Sequence, residues 1–155
     1  MDWARRQALV EQYTAGPRLV AEALAGIAEA ELEARPGAGE WSVREIVHHL
    51  ADAEMTGALR LRQLLVEDEP TIRAYDEAEY ARRLHYDRPI EASLEAFRAA
   101  RRTTAEILER LSEAEWARRG RHPERGEFGV ETWLEVYAEH AQLHADQIRR
   151  ARGAG

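Results

Sequence analysis

The residues of this chain best suited to chemistry are its histidines, and two of them, His140 and His144, stand four positions apart. On a helix each residue advances by about 100°, so this spacing puts both imidazoles on one side, one turn apart. Val130, Trp133, Leu134, Val136, Tyr137, Ala141, Leu143 and Ile148 fall on the half of the wheel that holds both rings. Glu131, Glu135, Glu139, Gln142, Asp146, Arg149 and Arg150 take the other half. The pair is therefore expected to point into a helical interior. Burying a polar ring without a partner costs roughly 1–3 kcal/mol per unsatisfied group. A shared metal ion would satisfy both rings at once, and a hydroxyl or carbonyl beside each would satisfy them separately.

A third ligand is offered by His49, at the edge of an apolar arc formed by Ile46, Leu50 and Ala53. Its neighbour His48 points away from that arc and is expected in solvent. His85 and His122 lie in weakly patterned connections beside Tyr86 and Pro123, where surface placement is expected, although either could reach a site at one end of the fold. Three neutral imidazoles suit Zn²⁺, Ni²⁺, Fe²⁺ or Co²⁺ and leave positions open to water or substrate. Water held there is acidified toward neutrality and a thiol is held as thiolate, so hydrolysis and thiol transfer are both accessible. The run His140-Ala141-Gln142-Leu143-His144 lacks the glutamate of the H-E-x-x-H motif, which argues against a zincin-type peptidase. Glu54 falls inside the apolar arc and is the one candidate catalytic carboxylate. It could support the site or act as a base, and a salt bridge to an interior arginine explains it equally well. Asp52, near the His48 side, is expected to be solvated.

Positioning these rings requires long helices, and the sequence is built for them. It is rich in Ala, Leu, Glu and Arg and sparse in β-branched and aromatic residues. A first helix is predicted over about 3–27, with a kink or break at Gly16-Pro17. A second spans 42–66, opened by the S-x-x-E capping box of Ser42 and Glu45. A long connection follows with a short helix near 76–84, then a third long helix from Pro89 to about 111 and a capped turn at 112–116. Residues 120–129 are expected to be loop, and the last helix covers about 130–152. With 155 residues the chain fits a single domain over 1–155. The expected fold is all-α, a four-helix bundle with a long crossover connection.

Composition removes several functions. The formal charge of −7 with interspersed signs gives no broad footprint for nucleic acid. All 22 basic residues are arginine, from which no function follows. The absence of cysteine excludes thiolate metal sites, iron–sulfur clusters and a cysteine nucleophile. No apolar leader and no stretch near the ~20 apolar residues of a membrane span is present, so a cytoplasmic location is expected.

The run Trp41-Ser42-Val43-Arg44-Glu45-Ile46-Val47-His48-His49-Leu50-Ala51-Asp52-Ala53-Glu54 resembles the second-helix signature of the DinB-like superfamily. Tyr137-Ala138-Glu139-His140-Ala141-Gln142-Leu143-His144-Ala145-Asp146-Gln147-Ile148 resembles its closing H-x-x-x-H signature, and the likeness extends through Tyr86-Asp87 and Phe97-Arg98-Ala99-Ala100-Arg101. The resemblance implies a four-helix bundle, often a homodimer, with one divalent metal held by histidines that match His49, His140 and His144. It further implies a metal-dependent hydrolase, or a thiol S-transferase or isomerase working with a low-molecular-weight thiol, acting on a small molecule. The alternative is a non-catalytic dimeric helical module for stress response or ligand binding.

Overall fold

The protein is described by a computed structural model covering residues 1–153. Its helices begin where the capping chemistry of the sequence places them. Asp2 caps α1 (Trp3–Leu24) by accepting from the Arg5 N–H at 2.8 Å. Ser42 caps α2 (Val43–Val66) in a reciprocal box: its Oγ accepts from the Glu45 N–H, and Glu45 Oε2 accepts from the Ser42 N–H at 2.7 Å. Asp76 caps the short α3 (Glu77–Arg83), and α4 (Glu91–Leu108) follows. A second box between Ser112 and Glu115 opens α5 (Glu113–Trp116), and α6 (Val130–Gly153) closes the described chain.

Contacts along the helices fix their directions. Arg6 meets Glu131 at one end of α1 and Arg152 donates to the Ala23 carbonyl at the other, so α1 and α6 are parallel. His48 faces Ser93, Glu54 faces Arg101 and Arg62 faces Thr104, so α2 and α4 are parallel to each other. His49 opposite His140 and Gly57 opposite Trp133 make α2 antiparallel to α6. Around the bundle the order is α1, α6, α2, α4. For α4 to run parallel to α2, the link over 67–90 must return along a helix of 24 residues, roughly 36 Å at 1.5 Å per residue. The expected crossover is this link, and α3 lies within it.

Of the kink or break expected at Gly16-Pro17 the break is absent, and α1 runs through both residues. Two close approaches explain why. A Cβ on Gly16 would lie 1.7 Å from Arg101 Nη1 and 2.8 Å from the Ala141 Cβ, so glycine is what lets α4 and α6 reach α1. Proline at 17 has no N–H to give the Tyr13 carbonyl four residues back. Arg101 Nη1 donates to that carbonyl instead, at 3.1 Å. The third long helix ends at Leu108 rather than at 111.

The segment expected to be loop is a hairpin, with β1 (Arg119–His122) antiparallel to β2 (Gly126–Gly129). Gly126 supplies the turn's positive φ of 74°. Strands of four residues are too short for a period to emerge, and their pairing is supported from the crossover. Arg121 donates from its N–H to the Pro70 carbonyl and accepts at its own carbonyl from the Ile72 N–H, at 2.8 and 2.7 Å.

At the centre, Arg101 donates to Glu54 Oε2 at 2.8 Å with both side chains essentially inaccessible, and the Tyr13 hydroxyl donates to the other carboxylate oxygen. Arg101→Met strands the Glu54 charge in the interior, and an expected loss of about 3–5 kcal/mol lowers Tm by roughly 10–15 °C for a chain of this length. Thermal melts of the two proteins check it. In the same assay Gly16→Ala, which overpacks the crossing, is expected to cost about 1–3 kcal/mol.

Candidate metal centre

His49 stands on α2, and His140 and His144 one turn apart on α6. Because the two helices pack antiparallel at this level, the three rings converge. His140 Nε2 lies 3.1 Å from His49 Nε2 and 3.2 Å from His144 Nε2, and one ring nitrogen of each residue lies within 4.8 Å of the others. A tetrahedral centre with metal–nitrogen bonds of about 2.0–2.1 Å separates its nitrogens by roughly 3.3–3.4 Å, so the spacing fits a shared ion. Proton accounting gives the same answer. A ring nitrogen offers either one N–H or one lone pair, so His140 Nε2 cannot form full hydrogen bonds with both neighbours. Three lone pairs directed at one cation have no such conflict.

The surrounding groups favour neutral rings. Gln147 Oε1 accepts from His144 Nδ1 at 2.9 Å, which places the proton on Nδ1 and the lone pair on Nε2. Nδ1 of His49 and of His140 is buried with no partner among the described residues. Burial, and then the proximity of His144, pushes His49 down to about 3. Burial carries His140 well below its ordinary range, with His144 and His49 adding to the effect, and burial also lowers His144 against the opposing pull of Gln147. The Trp41 ring stacks at a tilt on His49, centroids 4.5 Å apart, and walls that side. His140 and His144 are partly exposed, so the cluster is open on the α6 side. Neither Trp41 nor Gln147 was expected at the site; Gln147, three residues beyond His144 on one helix face, carried a signal that could have found it.

The structure disagrees with the sequence reading at several neighbours. His48 is buried, not solvated. The Arg88 carbonyl can only accept, so His48 Nε2 carries the proton toward it at 3.0 Å, and His48 Nδ1 accepts from the Ser93 hydroxyl at 2.7 Å. Burial is the main force lowering its basicity. Asp52 is buried too and accepts from the Tyr86 hydroxyl at 2.7 Å. Both contacts come from the crossover and the start of α4, which cover the face of α2 that a helical wheel leaves to solvent. His122 is buried against the Phe128 ring in the hairpin, whereas His85 is exposed as expected, and neither joins the cluster. Leu143, placed on the inner half by its period, is 61% exposed. Both oxygens of Glu54 are occupied, by Tyr13 and Arg101, which is the salt-bridge alternative.

Known proteins resemble this chain in sequence and in fold. The DinB superfamily profile matches residues 12–148. A protein of Oceanobacillus iheyensis named "Putative metal-dependent hydrolase OB0782" is 33% identical over 132 residues, 85% of this chain and 77% of its own. One of Halalkalibacterium halodurans, "Putative metal-dependent hydrolase BH0277", is 26% identical over 145 residues, 94% of this chain and 85% of its own. Among solved structures, YfiT from Bacillus subtilis superposes with a TM-score of 0.89 at 24% identity, over 96% of this chain and 86% of that one. It is described as having "an unusual four-helix bundle topology", and the likeness covers the parallel pairing seen here.

The depressed histidines set a sign for pH dependence. In the unfolded chain they titrate near 6.5, whereas His49 in the fold does so only near 3. Between these values the unfolded state binds protons that the folded state refuses, so stability falls as pH falls. The metal-free protein is expected to lose stability from pH 7 to pH 5, above the range where carboxylates titrate. Urea titrations across that interval should show a shallower slope for His140→Gln than for the parent.

Proposed function

Because this chain belongs to the DinB superfamily, we propose that it is a metal-dependent enzyme acting on a small molecule, with His49, His140 and His144 as ligands of one divalent ion. The observation that carries this reading is the approach of three Nε2 atoms to a common point on the partly open side of the bundle. Zn²⁺, Ni²⁺, Fe²⁺ and Co²⁺ all match an all-imidazole set. An ion with three protein ligands keeps positions open and lowers the pKa of water or a thiol toward neutrality.

The chain's own residues prepare that chemistry. Burial keeps the three rings neutral, the form that ligates, and Gln147 fixes the His144 tautomer. Trp41 shields His49 from water on one side, while the partial exposure of His140 and His144 leaves room for a substrate to approach. Glu54, committed to Arg101 and Tyr13, is not free to move a proton. The names of the relatives favour hydrolysis, with water as the nucleophile. A thiol nucleophile would have to come from outside, since the chain contains no cysteine.

Metal analysis of the purified protein should give one divalent ion per chain. His144→Ala should reduce that content and abolish turnover, a larger effect than the roughly 10–100-fold typical of losing a supporting partner. Chelation should stop consumption of ester and amide substrates, and the ion should restore it. Turnover that appears only with added thiol would redirect the reading to S-transfer. Stoichiometric metal with no turnover on either panel would leave a ligand-binding or structural module, and absence of metal would end the proposal.

A further inference from the structure

Where neighbouring long helices meet around the bundle, α1 and α4 pack most loosely. Their seam lies across the bundle from the one between α2 and α6 that holds the histidines, so the metal chemistry makes no use of it. A groove of about 560 Å³ runs along it, with a predominantly apolar lining. Thr14 and Pro17 of α1 form one wall, and Arg98, Ala99, Arg102 and Ala105 of α4 form the other, the arginines adding their aliphatic stems. An apolar strip with a charged rim is the form taken by protein–protein contact surfaces.

The order of charges along the rim says what covers it. Arg98 and Arg102 stand one turn apart on α4, Glu106 and Glu109 follow, and all four are exposed. Like charges three or four residues apart repel within a helix. Arg98, Arg102 and Glu106 enter no ion pair among the described residues, and Glu109 has only Arg110, at 3.9 Å. A second α4 laid antiparallel on this one, about a two-fold axis level with Thr103 and Thr104, sets Arg102 against Glu106 of the other copy and Arg98 against its Glu109. Symmetry then makes each pair twice. Two cations followed by two anions are complementary to themselves in this way, a property that a different partner would not require. Surface ion pairs add little affinity; what they fix is register and orientation.

Affinity needs an apolar anchor, and Trp3 is placed to be one. It is 70% exposed. Eleven residues separate it from Thr14, about three turns and 20°, so the two share the groove's side of α1. Arg6 meets Glu113 just past the end of α4, so Trp3 stands beyond that end of the groove. The two-fold that aligns the charges carries it to the far end of the other copy's groove, where Pro17 offers an apolar wall and Arg98 a cation for the indole face. Tryptophan and arginine are the side chains most enriched among interface hot spots.

We infer that the α1–α4 face is the interface of a homodimer, with the α4 helices antiparallel and Trp3 of each copy seated in the groove of the other. The inference goes beyond the metal reading and does not depend on it. Both histidine clusters face away from the interface and keep their open side.

Sedimentation velocity of the full chain at micromolar concentrations should show a dimer. Trp3→Ala should raise its dissociation constant roughly thirtyfold or more, the effect of losing a hot spot. Arg102→Glu alone and Glu106→Arg alone each set like charges across the two-fold and should sediment as monomers. Mixing these two variants is the decisive measurement, because both cross-axis pairs are again of opposite sign in the mixed dimer, which should therefore re-form. Misfolding of either variant would not be cured by mixing. Metal content should equal that of the wild type in every variant, so failure here and failure of the metal reading are separately visible. A wild-type protein that stays monomeric overturns the inference and leaves the groove to some other partner. A dimer that survives Trp3→Ala and both charge reversals, or mixing that restores nothing, overturns it as well.

Discussion

One guanidinium holds the four long helices in place. Arg101, on α4, donates to the Glu54 carboxylate of α2, to the Tyr13 carbonyl of α1 at 3.1 Å and to the Tyr137 carbonyl of α6 at 2.5 Å. It also lies over the Tyr13 ring, 4.2 Å from the centroid. A buried ion pair gains little over a well-packed apolar pair, because desolvation offsets the Coulomb term. What it supplies is geometry: these acceptors are satisfied in one mutual arrangement of the helices and in no slipped one. Specificity of register is the best-attested use of buried polar groups. In this chain it is purchased with a glycine at 16, whose missing Cβ makes room for the guanidinium, and a proline at 17, whose missing N–H leaves an acceptor for it.

The histidine cluster inherits that register. His140 lies three residues beyond Tyr137, and His49 five residues before Glu54, so Arg101 bridges the two helices just past the level at which they present their rings. Gly57 brings them closer still: a Cβ there would lie 2.3 Å from the Tyr137 ring, and its carbonyl accepts from Trp133 Nε1 at 2.7 Å. A slip of one helical turn between α2 and α6, about 5.4 Å, would separate the Nε2 atoms beyond any shared ion. The structural core and the candidate centre are therefore one construction, with the ion pair and the glycine contact setting a distance that the imidazoles use.

Much of this was legible in the residues. Caps at Ser42 and Ser112, apolar periods and the proline and glycine punctuation are local signals, and they located the helices and the crossover. The trio His49, His140 and His144 was legible because each ring lies on or beside an apolar arc of its own helix. Non-local effects were hidden. His48 lies opposite that arc, and only the return of the crossover, bringing the Arg88 carbonyl and Ser93, makes that face interior. Asp52 follows the same rule through Tyr86. Gly16-Pro17 carries a strong local signal for a break, and the contacts of Arg101 override it. The hairpin at 119–129 draws its backbone partners from Pro70 and Ile72, about fifty residues earlier, where no window of sequence could see them.

Two adjacent histidines show how environment divides labour. His48 has both nitrogens spoken for, one by a carbonyl that dictates its tautomer and one by a hydroxyl, so it has no lone pair left to offer an ion. His49, one residue and about 100° further round the helix, has its Nε2 against a His140 nitrogen that is also approached by His144, and that one nitrogen cannot pair fully with both. The same burial lowers the basicity of both rings. In one case the neutral ring is the end of the matter and anchors the crossover. In the other it is an unmet demand that a cation can meet, and because the helices are already fixed by Arg101, meeting it requires no folding step. Binding free energy at such a preformed site goes into holding the ion rather than into building the fold.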